Sequence, residues 1–170
     1  MAPRAVTSKE LGPTLGMYSP GMVAPAGEIV VVAGQVGMDG GGRLVGPGDV
    51  AAQTRQTFAN IEKILRAAGC GMRDVVRFQT FLTYASDIEH FMRARREVFP
   101  GYFPDGVYPP NTLLVVSRLV QPELLVEIEA MAVKPARPAA PAARPRAASK
   151  TRAAAQSRGS VRSRRSGKRR

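Results

Sequence analysis

Hydrophobic and polar residues follow two kinds of period along the first 133 residues. The segment Glu28–Gly34 is almost continuously apolar and β-branched, which predicts a strand buried on both faces. Alternation between apolar and polar residues over Asp74–Tyr84 predicts a second strand. Two further strands are expected over Leu113–Leu119 and Leu124–Val133.

Two segments between these strands repeat apolar residues every three or four positions, which is the period of a helix. The first follows Asp49, a favourable N-cap residue, and is expected to end at Gly69. The second follows Ser86 and Glu89, which have the spacing of a capping box, and is expected to end at Pro100. The order of elements predicts an α+β domain with both helices on one face of a sheet.

The other face of that sheet has no helix to cover it. Phe81, Leu125, Met131 and Val133 are expected there together with charged residues. An exposed surface that mixes large apolar side chains with charges favours coverage by a partner subunit.

Charge divides the chain into two unlike parts. Residues 1–133 hold 12 basic and 13 acidic residues, whereas residues 134–170 hold 13 basic residues and no acid. The second part is rich in Ala, Pro, Arg and Lys, and Val161 is its only bulky apolar residue. It cannot bury enough surface to offset an ordering entropy of about 1–2 kcal/mol per residue. We therefore expect a flexible N-terminus over residues 1–14, a folded domain over residues 15–133 and a disordered basic tail.

Cysteine and histidine each occur once, which excludes an internal disulfide and a zinc site of four Cys or His ligands. We predict neither a metal nor a cofactor. Cys70 follows the end of the first helix, where the helix dipole disfavours a thiolate, and His90 is expected on the surface. Arg93, Arg95 and Arg96 are expected to lie mostly on a solvated helix face, although Arg95 also has the spacing of the helical stripe that holds Phe91 and Phe99.

No segment has the length of a membrane span. The longest apolar stretch, Ile29–Gly34, is far shorter than the roughly 20 residues that cross a bilayer. The N-terminal segment lacks the apolar centre of a signal peptide. These features predict a cytoplasmic protein.

Two strand glutamates are the main candidates for chemistry. Glu127 and Glu129 are two residues apart, so they project from one face of a strand about 7 Å apart. Apolar neighbours would raise the pKa of such a carboxyl group, which suits a general acid or base. The alternative is a pair of solvated glutamates without a catalytic role. Tyr18 is a candidate lid over a pocket, and the alternative is that it only packs against its neighbours. The backbone at Gly34 is a candidate contact to a ligand, and the alternative is that Gly34 only ends its strand.

Six short segments together resemble the Rid/YjgF family of enamine/imine deaminases, in order and at the spacing of that family. The resemblance implies a chorismate-mutase-like α+β fold with a mixed sheet, a homotrimer, and a small reactive imine or enamine in clefts between subunits. The segments are Gly16–Ser19, Ala33–Val36, Ala52–Gln56, Ala67–Gly69, Asp74–Val76 and Val126–Ala130.

The resemblance also assigns roles to single residues. Glu127 matches the family's glutamate, Tyr18 its loop tyrosine, and Leu113 the strand residue whose backbone N–H faces the ligand. Active members carry an arginine for the carboxylate of an imino acid, but this chain has Asn111 there, and Ala33 replaces a serine. An uncharged amide in place of the guanidinium weakens binding of an anionic imine by roughly tenfold or more.

Three functions follow from these observations. The first is hydrolysis of an imine or enamine, with a substrate altered by Asn111. The second is binding of a small ligand without catalysis on the same fold. The third is non-specific association with nucleic acid through residues 134–170.

The basic tail generates the first testable prediction. With about half of its charges engaged, binding to duplex DNA should fall with salt at a log–log slope of about −6. A salt titration of the full chain, compared with a chain ending at Val133, measures this slope. Equal binding by the two chains, or binding that high salt leaves unchanged, would contradict an electrostatic role for the tail.

Overall fold

The structure is a computed structural model that describes residues 2–136. Most of the predicted basic tail, from residue 137 onward, lies outside the described residues. Six strands and two helices occur within residues 2–136. They are β1 (Arg4–Val6), β2 (Gly21–Val23), β3 (Gly27–Val36), α1 (Val50–Ala67), β4 (Val75–Leu82), α2 (Ile88–Tyr102), β5 (Asn111–Val115) and β6 (Val126–Pro135).

Four of these strands form a mixed sheet in the order β3-β6-β4-β5. β6 runs antiparallel to both of its neighbours, whereas β4 and β5 are parallel, with α2 in the connection between them. β1 and β2 form a separate antiparallel pair. The α+β architecture and the order of elements predicted from the sequence are confirmed.

The core lies between the sheet and the two helices, and an aromatic cluster fills its centre. Phe58 of α1, Phe78 of β4 and Phe99 of α2 are buried against one another, with ring centroids 5.2–6.2 Å apart. Phe103 adds a further edge-on contact with Phe99 at 5.2 Å. The pairs of Phe58 with Phe78 and Phe99 are also edge-on, an arrangement that is favourable for aromatic rings, so the cluster joins both helices to the sheet.

Helix α1 begins and ends where the sequence predicts. The Asp49 carboxylate accepts hydrogen bonds from the amides of Ala51 and Ala52 at 2.9 and 3.1 Å. The helix ends at Ala67, and Gly69 follows in a left-handed conformation with φ of 79°. That conformation is why glycine is favoured after a helix C-terminus.

A buried glutamine in α1 holds the segment that leads into β6. The Gln53 amide donates to the carbonyl oxygens of Glu123 at 3.0 Å and Gly46 at 3.3 Å. Its side-chain oxygen accepts from the amide of Leu125 at 2.9 Å. Gln53 is fully buried, so these bonds fix the start of β6 against α1.

Strand β3 is not buried on both faces, which corrects the prediction. Ile29 and Val31 are 68% and 71% exposed, whereas Val32 is 2% exposed. The helices cover one face only, and β3 lies at an edge of the sheet. The strand also continues to Val36, so Gly34 lies inside it and does not terminate it.

Helix α2 differs from its prediction at both ends. The turn Ala85–Asp87 leads directly into it, and its N-cap Asp87 makes no side-chain capping hydrogen bond, so the expected box of Ser86 and Glu89 does not form. Pro100 lies inside the last turn, and the helix continues to Tyr102.

Two further differences concern strands. A β-bulge near the start of β4 places Val75 in the core, where the alternation had placed Val76. Part of the N-terminal segment that was expected to be flexible forms β1, whose Arg4 is paired with Val23 of β2. Within residues 2–136, neither helix has the length and apolar character that a membrane crossing requires.

The uncovered face of the sheet generates a prediction about assembly. Ile29 and Val31 expose large apolar surface there, and the family resemblance implies a trimer. A chain ending at Ala136 should sediment as a trimer at micromolar concentration, and Val31→Lys should shift it toward monomer. Ile64→Lys, at a helix position that is 37% exposed, is the matched control and should leave the trimer intact. A stable monomer of the unsubstituted chain would contradict the prediction.

Candidate functional site

Glu127 lies on the face of the sheet that the helices leave uncovered. Its neighbours in β6, Val126 and Ile128, are fully buried in the core, so the alternation of the strand directs Glu127 to the opposite side. Glu127 is paired with Phe81 of β4 and Val36 of β3, and it is half-buried between them. The expectation that Glu127 and Glu129 share one face is confirmed.

The backbone of β3 bulges beside Glu127. Val32 is paired with Ala130 and Gln35 with Ile128, so β3 has one residue more than β6 between these pairs. Gly34 lies in this bulge, and a Cβ atom built on it would be only 1.8 Å from Oε1 of Glu127. The carboxylate therefore occupies the space that any larger residue at position 34 would fill.

Burial and a neighbouring charge act on Glu127 in the same direction. Removal from water raises the pKa of its carboxyl group, and the negative charge of Glu129 raises that pKa further. Among residues 2–136, no basic side chain forms a salt bridge with Glu127. A carboxyl group in this state can take and return a proton closer to neutral pH than an ordinary glutamate can.

A shallow depression of about 120 Å³ lies on the same face of the sheet. It is lined by Glu129 rather than by Glu127, together with Arg77 and Gln79 of β4. Arg77 donates a hydrogen bond to the side-chain oxygen of Gln79. The face around the two glutamates thus carries hydrogen-bonding side chains in addition to its exposed apolar residues.

Asn111 lies on the other face of the sheet. It is paired with buried Phe78 in the parallel ladder, and its Oδ1 accepts a hydrogen bond from the hydroxyl of buried Thr80 at 2.9 Å. Residues paired in a parallel ladder share a face, so Asn111 points to the helix side, away from Glu127. Asn111 and Glu127 therefore do not face one ligand within a single chain.

Leu113 follows at the outer edge of the sheet. The amide of Phe78 bonds to the carbonyl of Pro110, and the amide of Val116 bonds to the carbonyl of Leu82. In a parallel ladder with these two bonds, the even-numbered residues of β5 direct their backbone N–H and C=O groups toward β4. The backbone N–H of Leu113 therefore faces the open edge, where a ligand or a second chain has access.

Tyr18 lies in the loop before β2, next to α2. Its hydroxyl oxygen accepts a hydrogen bond from the amide of Leu15 at 3.4 Å. Arg95 of α2 donates a hydrogen bond at 2.7 Å to the carbonyl of Met17, the residue before Tyr18, and so connects this loop to the helix. The single chain thus brings Gly34 and Glu127 together, and it places Tyr18 and Asn111 elsewhere.

Arg95 is the residue that sequence reasoning misplaced. It was expected on a solvated helix face, but it is 1% exposed. Its guanidinium lies 4.4 Å from the ring centre of Phe99 and 5.6 Å from that of Phe91. The spacing in the sequence indicates the burial of Arg95, because Arg95 is four residues from each of these phenylalanines and so belongs to the buried stripe of α2.

The environments of the lone cysteine and the lone histidine agree with the expectation of an unreactive thiol and a surface histidine. Cys70 is partly buried, donates to the carbonyl of Leu65 at 3.4 Å, and has its pKa raised, chiefly by burial, which disfavours a reactive thiolate. His90 is exposed and contacts Arg93. Nowhere in the described part of the chain do three His, Cys, Asp or Glu side chains form a group that could hold a metal ion.

Comparisons with known proteins identify the family. The family described as Endoribonuclease L-PSP matches residues 8–134. A RutC family protein of Pyrococcus horikoshii is 36% identical over 120 residues, 71% of this chain and 89% of that protein. The 2-iminobutanoate/2-iminopropanoate deaminase of Rattus norvegicus is 33% identical over 132 residues, 77% of this chain and 90% of that protein.

A solved structure agrees with these sequence matches. The crystal structure of a Rid family protein of unknown function from Yersinia pestis has a TM-score of 0.69 and 32% identity to this chain. It covers 79% of this chain and is itself covered over its whole length. The chain belongs to the Endoribonuclease L-PSP family, which is the Rid/YjgF family that its six motifs resemble.

The contact between Gly34 and Glu127 generates a prediction. Gly34→Ala should displace the Glu127 carboxylate toward water, because the flexible end of that side chain gives way more easily than backbone. The pKa of Glu127 should then fall toward the usual range for glutamate, at a cost of about 1 kcal/mol or less in the free energy of unfolding.

Carboxyl-carbon NMR titration and thermal unfolding measure these two quantities. Gly40→Ala is the matched control, because a Cβ atom there meets nothing within 4 Å. An unchanged pKa of Glu127 in the Gly34→Ala variant would show that the contact does not set its environment.

Proposed function

We propose that this protein hydrolyses small 2-imino acids, or the enamines that tautomerise to them, with Glu127 as the proton-transferring group. The observation that carries the proposal is the half-buried Glu127 carboxyl group, packed on the Gly34 bulge and raised in pKa by burial and by Glu129. The protein's membership of the Rid/YjgF family supports the reaction class, since one relative is named as a 2-iminobutanoate/2-iminopropanoate deaminase.

The reaction consumes one water and releases ammonia. An enamine first takes a proton on carbon and gives up one from nitrogen, which gives the imine. The Glu127 carboxylate then accepts a proton from water as the water oxygen bonds to the imine carbon. It returns that proton to nitrogen, which gives a tetrahedral adduct with one hydroxyl and one amino group. The carboxylate then takes the hydroxyl proton and passes it to the amino nitrogen, so that the carbon–nitrogen bond breaks and a 2-oxo acid and ammonia leave. A single carboxyl group that cycles between its two protonation states serves each transfer.

The proposed site is completed between copies of the chain. Glu127 and Gly34 share the uncovered face of the sheet, Leu113 offers its N–H at the sheet edge, and Tyr18 lies on the helix side. Residues placed so far apart in one chain serve one ligand only if neighbouring chains bring different faces together. We propose a homotrimer with three such clefts.

Binding without turnover is the second candidate, and Asn111 favours it. Asn111 occupies the position of the arginine that the resemblance associates with activity, and its Oδ1 is already bonded to the Thr80 hydroxyl. A neutral amide cannot supply the charge-assisted pair that holds a substrate carboxylate. The proposed association with nucleic acid is supported only by the basic sequence of residues 134–170.

Two isosteric variants separate catalysis from a structural role of the glutamates. Glu127→Gln should reduce hydrolysis of imine generated in situ by about 10²–10⁴-fold, because it removes the proton-transferring group. Glu129→Gln should retain turnover. It should also move the acid limb of the pH–rate profile to lower pH, since the Glu129 charge raises the pKa of Glu127.

The same variants carry their own control for folding. Ionised Glu127 is disfavoured in the folded state above its raised pKa, so Glu127→Gln should unfold at the same temperature as the unsubstituted protein or higher at pH 7. Small and equal effects of the two variants on the rate would contradict a catalytic Glu127. An absence of imine hydrolysis in the unsubstituted protein would favour the binding function.

A further inference from the structure

Arg95 is a buried charge without a counter-charge. The side chain is 1% exposed, and within residues 2–136 no carboxylate lies within salt-bridge distance of it. Burial lowers the pKa of Arg95 to about 10, so the guanidinium still carries its charge at neutral pH. Buried arginines are normally paired, because an unpaired charge in a protein interior is costly.

The hydrogen bonds of Arg95 are also incomplete. One nitrogen donates to the carbonyl of Met17 at 2.7 Å, and another lies 3.8 Å from the thioether sulfur of Met92, a weak acceptor. The Nε atom is buried and has no partner in the described part of the chain. The remaining contacts are with the faces of Phe91 and Phe99, which attract a cation but accept no strong hydrogen bond.

A cavity of about 440 Å³ borders Arg95, between the loop before β2 and helix α2. Leu15, Met17, Ile88 and Met92 form its apolar walls, and Arg95 is its buried charged residue. A volume of this size suits a small molecule. The planar guanidinium matches a carboxylate, which it can hold by two parallel hydrogen bonds.

Two exposed charges, Glu89 and Arg96, also border the cavity. They are of opposite sign, so Arg95 leaves the cavity with one net positive charge. The thioether of Met92 belongs to a flexible side chain that a carboxylate can displace from the guanidinium. That exchange replaces a weak acceptor with a charged one.

We propose that this cavity binds a small carboxylate with a short aliphatic substituent, and that Arg95 is its carboxylate-binding residue. The choice of a 2-oxo acid as the probe rests on the proposed function, because a 2-oxo acid is the stable analogue of a 2-imino acid. Binding itself is measured without turnover, so the two proposals can fail separately.

The experiment is calorimetric titration of the full chain with 2-oxobutanoate and with its methyl ester. The acid should bind, and the ester should bind at least tenfold more weakly. Arg95→Met should weaken binding of the acid at least tenfold, and Arg95→Lys should fall between the two. The control Arg93→Gln, which alters an exposed arginine of α2 outside the cavity lining, should change the affinity less than about threefold.

Thermal unfolding distinguishes a binding role from a structural one. Removal of an unpaired buried charge should leave the unfolding temperature of Arg95→Met unchanged or higher. A lower unfolding temperature with unchanged affinity for 2-oxobutanoate would overturn the proposal in favour of a structural arginine. Equal affinity of the unsubstituted protein for the acid and its ester would also overturn it.

A second measurement needs no variant. The Nε–H resonance of Arg95, observed by nitrogen NMR in the unsubstituted protein, should shift on saturation with 2-oxobutanoate. A resonance that 2-oxobutanoate leaves in place, but that moves when the assembly is diluted to monomers, would assign the counter-charge to a second copy and overturn the proposal. If Glu127→Gln abolishes turnover while 2-oxobutanoate leaves this resonance in place, the imine hydrolase proposal stands and the Arg95 proposal falls.

Discussion

The close packing of the Glu127 carboxylate on the backbone of Gly34 is the constraint on which the candidate site depends. It requires a glycine inside strand β3, a bulge that shifts β3 against β6, and firm placement of both strand ends. Helix α1 supplies that placement through its polar side chains. Gln53 holds the segment that leads into β6, and Asn60 donates to the carbonyls of Val36 and Met38 at 3.1 and 2.8 Å. Helix α1, which packs on one face of the sheet, thus positions Glu127 and Gly34 on the opposite face.

The fold keeps two desolvated charges apart, an acid on one face of the sheet and a base on the other. Burial raises the pKa of Glu127 and lowers that of Arg95 to about 10. Both shifts mean that the charged form is less favourable in the folded chain than in the unfolded one. The penalty from Glu127 is present above its raised pKa and vanishes as the pH falls, and the penalty from Arg95 is present throughout the neutral range. Sites that cost stability in this way are typical of binding and catalysis.

Much of the fold follows from local patterns in the sequence. The period of α1, its N-cap Asp49 and the shared face of Glu127 and Glu129 depend only on neighbours along the chain, and the structure confirms them. The bulge at Gly34 and the orientation of Asn111 depend on strand pairing, which single-chain periodicity does not specify. Arg95 was misplaced because its charge was weighed above its spacing in the stripe of α2.

A crystal structure of the full-length protein with 2-oxobutanoate bound tests the central claim, that Glu127 is the proton-transferring group, most directly. The account predicts one molecule of 2-oxobutanoate, separate from any molecule beside Arg95, whose carbonyl oxygen is hydrogen-bonded to the Glu127 carboxyl group directly or through one water. It also predicts that Gly34 of the same chain borders that ligand. If 2-oxobutanoate is ordered only at places without contact to Glu127 of any copy, such as the cavity beside Arg95, the account is contradicted.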